Sequence, residues 1–426
     1  MSAVVHNKVE LHGITLHAIE TPKYKTNTIV LKCKAPLSEE TVTARALIPH
    51  VLQSGTKNHP SREKLRSALE ELYGATFTVD LSKKGDNHII TFRMDVANEK
   101  FLSDQTPLLE KALQLFSDII LQPLVENNAF KESIVEEEKR ALKQRIQAIY
   151  NDKMRYANMR LIQEMCKEEP YRLNVQGTIE KADSLSANQL YQTYENMLRA
   201  DCIDLFIVGD IELNKVQQIT SKYFKIPEKQ KVREDNVVKH IVPNKENVVF
   251  EEQEINQGKL HIGYRTNVTF KDEDYYPLQV FNGIYGGFSH SKLFINVREK
   301  ASLAYYAASR VESHKGLLLV IAGIEFSNYD QALSIIKEQM QAMKSGNFSE
   351  EELLQTKSVI RNQILETLDN ARGVVEILYH NVIANTDLSI DDMLSGIEKV
   401  TKEEVIEVAN KIQLDTVYFL RGEGKE

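Results

Sequence analysis

Two stretches of this chain, about half its length apart, carry the same signals in the same order. Ile179-Glu180-Lys181 precedes a helix-like run and then the strand-like Asp204-Leu205-Phe206-Ile207-Val208-Gly209-Asp210. Ile397-Glu398-Lys399 precedes Val405 to Lys411 and then Val417-Tyr418-Phe419-Leu420-Arg421-Gly422-Glu423. Earlier in each half, a Tyr-containing segment leads to a turn glycine: Leu72-Tyr73-Gly74 to Gly85, and Leu303-Ala304-Tyr305 to Gly316. Matches in one order at offsets of roughly 210 to 230 residues imply an internal duplication, and hence two domains with one fold. Lys225 to Asp235 between them is charged and aperiodic. The expected organisation is an N-terminal domain over 1–225, a linker over 226–245 and a homologous C-terminal domain over 246–426.

Each half mixes strand and helix periods. From Asn87, the residues Ile90, Phe92, Met94 and Val96 alternate with Ile89, Thr91, Arg93 and Asp95, the pattern of a strand with one strongly buried side. Ser61 can cap a helix whose Leu65, Ala68, Leu69 and Leu72 recur on one face before Gly74 stops it. Thr106-Pro107 opens another helix through Leu109, Ala112, Leu113 and Phe116, ended by Pro123. Hairpin strands followed by several helices predict an α+β fold, in which each domain is a mostly antiparallel sheet packed with helices, rather than a doubly wound parallel sheet.

Composition removes several functions. The 426 residues carry 53 Lys and Arg against 61 Asp and Glu, a net charge of −8. Basic residues are dispersed, so neither a nucleic-acid backbone nor an anionic membrane is an expected partner. The longest apolar run, Leu317 to Ile324, is far short of the roughly 20 residues that span a bilayer. The N-terminus lacks a basic region followed by an apolar core. Cys33, Cys166 and Cys202 match neither a metal knuckle nor a disulfide framework. Together these features predict a soluble cytoplasmic protein.

Standard catalytic motifs are missing. The chain has no Gly-x-Ser-x-Gly, phosphate loop, Cys-x-x-Cys or His-Glu-x-x-His, and no two of its eleven histidines stand at the i, i+4 spacing of a helical zinc pair.

One segment nonetheless points to a family. Ala46-Leu47-Ile48-Pro49-His50-Val51-Leu52-Gln53-Ser54-Gly55-Thr56 resembles the inverted zinc helix His-x-x-Glu-His, followed by Gly-Thr, of the pitrilysin/insulinase metallopeptidases. Aligned so, the first ligand falls on Ala46, the catalytic glutamate on Pro49 and the second ligand on His50. The family's third ligand, a glutamate in a later helix, falls on Glu136 of Glu136-Glu137-Glu138-Lys139-Arg140. One imidazole and one carboxylate fall short of the usual three protein ligands, and Pro49 supplies no base to deprotonate a bound water. Proline also removes a backbone donor from the helix. The competing readings are structural: His50 as a helix-end polar residue satisfied by a carbonyl, and Glu136 to Glu138 as a solvated helix face.

The second half resembles the family more closely. Gly286-Gly287-Phe288-Ser289-His290-Ser291-Lys292-Leu293-Phe294 and Arg298-Glu299-Lys300-Ala301-Ser302-Leu303-Ala304-Tyr305 are similar to its glycines, Ser-Arg-Leu-Phe and Arg-Glu-Lys-x-Gly-Leu-Ala-Tyr. Lys292 and Ser302 depart from it. The resemblance implies that Gly286 and Gly287 contact substrate and that Arg298 and Tyr305 reach the zinc site of another half-enzyme. A guanidinium and a phenol there would donate hydrogen bonds to a developing oxyanion. The structural alternatives are Arg298 paired with Glu299 or Glu325, and Tyr305 as a core aromatic.

The family builds one catalytic unit from four domains, so a chain of this length resembles one half of a clam-shell chamber. The resemblance implies a non-catalytic subunit with no cofactor of its own, an intact homologue as heterodimer partner or a homodimer, zinc in the partner, and a peptide substrate. The alternatives are a self-sufficient zinc peptidase with an atypical metal site, a peptide-binding module without a catalytic partner, and a purely structural subunit.

Overall fold

The structure, a computed structural model, describes residues 5–103, 106–227 and 240–423. Most of the expected linker therefore lies outside the described residues. The chain divides into two compact units, Met1–Ala148 with Leu173–Asp235, and Ile149–Arg172 with Asn236–Glu426.

The first unit holds a six-stranded sheet of β1 (Val5–Leu11), β2 (Ile14–Glu20), β3 (Thr26–Pro36), β4 (Thr76–Lys84), β5 (Asn87–Ala97) and β8 (Cys202–Gly209) in the order β1-β2-β8-β3-β5-β4. The two-residue strands β6 (Val125–Glu126) and β7 (Ala129–Phe130) form a separate hairpin. Its helices are α1 (Val42–Leu52), α2 (Arg62–Glu71), α3 (Leu108–Leu121), α4 (Glu132–Asn151, whose last turn falls in the second unit), α6 (Ile179–Ser184), α7 (Ala187–Ala200) and α8 (Leu213–Tyr223). The expected face of β5, Ile90, Phe92, Met94 and Val96, lies in one core with Leu47 and Ile48 of α1, Leu113 and Phe116 of α3 and Leu190 of α7. Ser61 caps α2 as read from the sequence, its side chain accepting from the Lys64 amide.

The second unit holds β9 (Asn247–Gln253), β10 (Gly258–Arg265), β11 (Ala304–Glu312), β12 (Leu317–Ile324) and β13 (Gln413–Gly422), ordered β11-β12-β10-β13-β9. With β9, β10, β11, β12 and β13 as counterparts of β2, β3, β4, β5 and β8, the two sheets share one strand order. They also share one sense of pairing: β2–β8 and β9–β13 are parallel and the other equivalent pairs antiparallel. Within the six-stranded sheet, β1 has no counterpart among the described residues of the second unit. Such a shared topology is what duplication requires, and the fold is the expected α+β with mostly antiparallel sheets.

The helices of the second unit include α5 (Lys153–Met165), α9 (Tyr275–Asn282), α10 (Tyr329–Lys344), α11 (Glu350–Thr367), α12 (Ala371–Ala384), α13 (Ile390–Lys399) and α14 (Lys402–Lys411). Here the structure departs from a division at 225, because α5 packs with the later sheet. Tyr156, Ala157, Leu161 and Met165 cluster with Leu317, Leu319, Tyr418 and Leu420. Arg265 anchors the same segment, with Nη2 2.7 Å from both the Met165 carbonyl and Glu169 while Nε reaches Asp415 at 2.8 Å. The apolar stripe of α5 shows that it is buried, but a stripe does not name the sheet that buries it.

Candidate functional site

Helix α1 is buried along nearly its whole length, so the positions aligned with the zinc motif lie in the core of the first unit. It runs through Pro49 to Leu52, and proline supplies no amide for the Arg45 carbonyl. Arg45, beside Ala46, is itself buried and ion-paired with Asp201 at 2.8 Å. His50, in the last turn, bonds through Nδ1 to the side-chain Nε2 of Gln53 at 3.2 Å, not to a backbone carbonyl. Its own carbonyl accepts from the Ser54 hydroxyl at 3.0 Å. Burial, aided by the Arg145 guanidinium, pushes the His50 pKa down to about 4, so the ring is neutral at pH 7.

Of the three adjacent glutamates of α4, the inward one is Glu138. Val135, Leu142 and Ile146 form the buried stripe of the helix, and Glu138 falls on it. Glu136 falls off it, half-exposed and bonded to Lys139 at 2.7 Å. Glu138 accepts from the Ser54 hydroxyl at 3.3 Å and is ion-paired with Arg62, which also holds the more exposed Glu137 at 2.5 Å. Arg62 further donates to Ser54 Oγ, at 3.2 Å from Nε and 3.1 Å from Nη2. Arg145, two turns beyond Glu138 on the same face, completes the group. The sequence reading missed Arg62, Glu138 and Arg145. The spacing of Glu138 on the apolar stripe was the signal that could have found it.

These residues do not fit a zinc ion. Ala46 has no donor atom and Pro49 no carboxylate, while the Glu138 carboxylate is engaged by a guanidinium. Among the described residues no three His, Cys, Asp or Glu side chains converge as a metal site.

The second unit presents the other motif differently. Two π-helical segments, Gly283–Gly287 and Phe294–Lys300, flank it. Gly286 is buried: a Cβ there would lie 2.5 Å from Ser309 Oγ and 2.8 Å from the Ser309 amide nitrogen, so the glycine lets this segment approach β11. Gly287 is exposed. Lys292, in place of the family's arginine, is largely buried and lies 3.6 Å from Glu352. Ser302, in place of its glycine, takes the left-handed backbone at φ +53°.

Arg298 is exposed in the second π-helical segment, its guanidinium 4.6 Å over the Phe294 ring. Tyr305 is 64% exposed at the start of the edge strand β11. It is therefore no core aromatic, and Glu325 is its partner: the phenol donates to Glu325 Oε1 at 3.0 Å, which raises its pKa. The two side chains stand on adjoining elements of one unit, without a direct bond between them.

Comparison with known proteins finds matches to two family profiles in succession along the chain. The profile of insulinase, peptidase family M16, matches residues 46–179, and that of the peptidase M16 inactive domain matches 184–360. The chain is 55% identical to the probable inactive metalloprotease YmfF of Bacillus subtilis over 423 residues, 99% of each chain. A crystal structure of a conserved protein from Enterococcus faecalis superposes with a TM-score of 0.91 at 33% identity, covering 99% of both chains. A peptidase M16 inactive domain from Pseudomonas fluorescens shares the fold, with a TM-score of 0.81 at 16% identity over 99% of each. No helix among the described residues is long and apolar enough to cross a membrane. This chain belongs to the insulinase family of peptidases, M16, and is a homologue of an inactive member.

Proposed function

We propose that this chain is a non-catalytic peptidase subunit that closes over a peptide and lends Arg298 and Tyr305 to the zinc site of an intact partner of the same family. The observation that carries this reading is the contrast between the halves. Position 49, where a base is needed, is a proline inside a buried helix, whereas Tyr305 is displayed at an exposed strand start. Glu325 holds the phenol in place until a peptide carbonyl oxygen competes for its proton. Arg298, lying over Phe294, offers donors beside it. A pair of donors arranged before the reaction stabilises the charge that develops on that oxygen.

Quenched-peptide hydrolysis with bound-metal analysis tests the proposal, using this chain, an intact homologue from the same cell, and the two mixed. The chain alone is expected to be inactive, and mixing to raise the homologue's turnover. Arg298→Ala or Tyr305→Phe should then remove most of the gain, by analogy with the loss of one oxyanion donor, about a hundredfold. Bound peptide without any gain on mixing would favour a peptide-binding module. Chelator-sensitive cleavage by the chain alone would favour a self-sufficient peptidase.

A further inference from the structure

Arg145 has two nitrogens, Nε and Nη2, that are shielded from solvent and have no hydrogen-bond partner. Buried donors are nearly always satisfied, and each one left over is destabilising. These two lie along one edge of the planar guanidinium, the edge that meets both oxygens of a carboxylate side-on. The nearest charged neighbour does not serve as that acceptor: Glu138 acts on Arg145 through space, but its Oε1 is bonded by Arg62 and Ser54. His50, on the other side, is a neutral ring. Arg145 as a whole is only partly buried, while Nε and Nη2 are themselves covered, so the site takes a ligand when that cover moves aside.

We propose that the place aligned with the family's metal has become a carboxylate-binding site, in which the Nε and Nη2 edge of Arg145 takes both oxygens of a peptide carboxylate. A metal site and this one are both positive but differ in the ligand each suits. The former presents a cation to a neutral peptide carbonyl, and the latter presents a fork to an anion, so the ligand is an end or an acidic side chain rather than a mid-chain bond. The choice of a peptide as the carrier rests on the peptide-binding reading above.

The test is fluorescence anisotropy with the full chain and three short labelled Ala/Leu peptides: one with a free C-terminal carboxylate, its C-terminal amide, and the amide with one interior Glu. The free-acid peptide is expected to bind about tenfold or more tighter than the plain amide, with the preference abolished in Arg145→Gln. A matching preference for the interior-Glu peptide assigns the side-chain source instead of the terminus. Equal binding of all three peptides by the unsubstituted chain, or a preference that survives Arg145→Gln, overturns the proposal. If no peptide binds, thermal unfolding in sodium acetate against sodium chloride decides separately. A higher Tm in acetate, lost in Arg145→Gln, upholds the carboxylate site while the peptide reading fails, and the absence of any acetate effect overturns the site as well.

Discussion

His261 is a titratable ring placed where it cannot be charged. It sits in the middle of β10, paired in register with Ile321 on one side and Tyr418 on the other, and is fully buried. Neither ring nitrogen has a hydrogen-bond partner. Burial first, then the Arg310 and Lys259 charges, push its pKa from 6.5 down to about 3. The folded-state value is depressed, so the unfolded chain takes up the proton first. This histidine therefore costs nothing in protonation above pH 6.5, and stability is lost as pH falls from 6.5 toward 3. Each pH unit in that window costs about 1.4 kcal/mol, which makes the penalty about 2 kcal/mol at pH 5.

His261→Leu removes both the titration and the two unpartnered nitrogens. The second gain, about 1–3 kcal/mol, exceeds a shape mismatch of about 1 kcal/mol. The variant should be about 1 kcal/mol more stable at pH 7.5, and the gap should widen to about 3 kcal/mol at pH 5. His50 and His88 are also held neutral, at about 4 and about 3, but in the first unit. The assay must therefore report the second unit alone: hydrogen exchange of peptides covering β10 and β12, followed through urea at three pH values. A gap that stays constant with pH, or a variant clearly less stable at pH 7.5, would refute the reasoning.

Four further outcomes are expected. Ser302→Gly should stabilise by about 0.5–1 kcal/mol in thermal melts, because the left-handed backbone that strains serine suits glycine. Gly286→Ala should cost about 2 kcal/mol or more by urea unfolding, since the added methyl meets Ser309 backbone as well as side-chain atoms. Arg45→Met should cost about 3–5 kcal/mol by leaving Asp201 buried without its guanidinium, and Arg45→Met with Asp201→Leu should recover most of that loss in the same measurement. Ala46→His with Pro49→Glu should not yield stoichiometric zinc on metal analysis, because Arg62 holds Glu138. Zinc should appear only when Arg62→Gln and Arg145→Gln are added.

What was legible in the sequence was what periodicity alone determines. The buried face of β5 and the capped start of α2 follow from alternation and from Ser61, and the duplication from ordered signals that the matching sheets then share. The partner of α5 was not legible, since an amphipathic stripe is equally consistent with either sheet. Glu138 was misread because the family register pointed to Glu136, although Val135, Leu142 and Ile146 already marked the inward face. Arg145 had no signal, because arginine on a helix is ordinarily solvated and only its surroundings reveal buried nitrogens. In the second half the motif itself was legible, but the pairing of Tyr305 with Glu325 depends on adjacent strands, and the φ of Ser302 on a turn that glycine ordinarily makes.

A buried carboxylate needs an opposite charge beside it. The Glu138 carboxylate, 4% exposed, would by itself be an uncompensated buried charge costing several kcal/mol. Here a guanidinium from the start of α2 supplies the compensation and ties α2, the end of α1 and α4 together through Ser54, Glu137 and Glu138. Arg62 thereby performs the structural part of a metal's work, cross-linking three segments around one charge. It cannot perform the chemical part, since a guanidinium has no open coordination position at which water could be activated. In the first unit the buried carboxylate is thus balanced by a guanidinium. The donors to which the proposal above assigns chemistry are the ones the second unit displays, Arg298 and Tyr305.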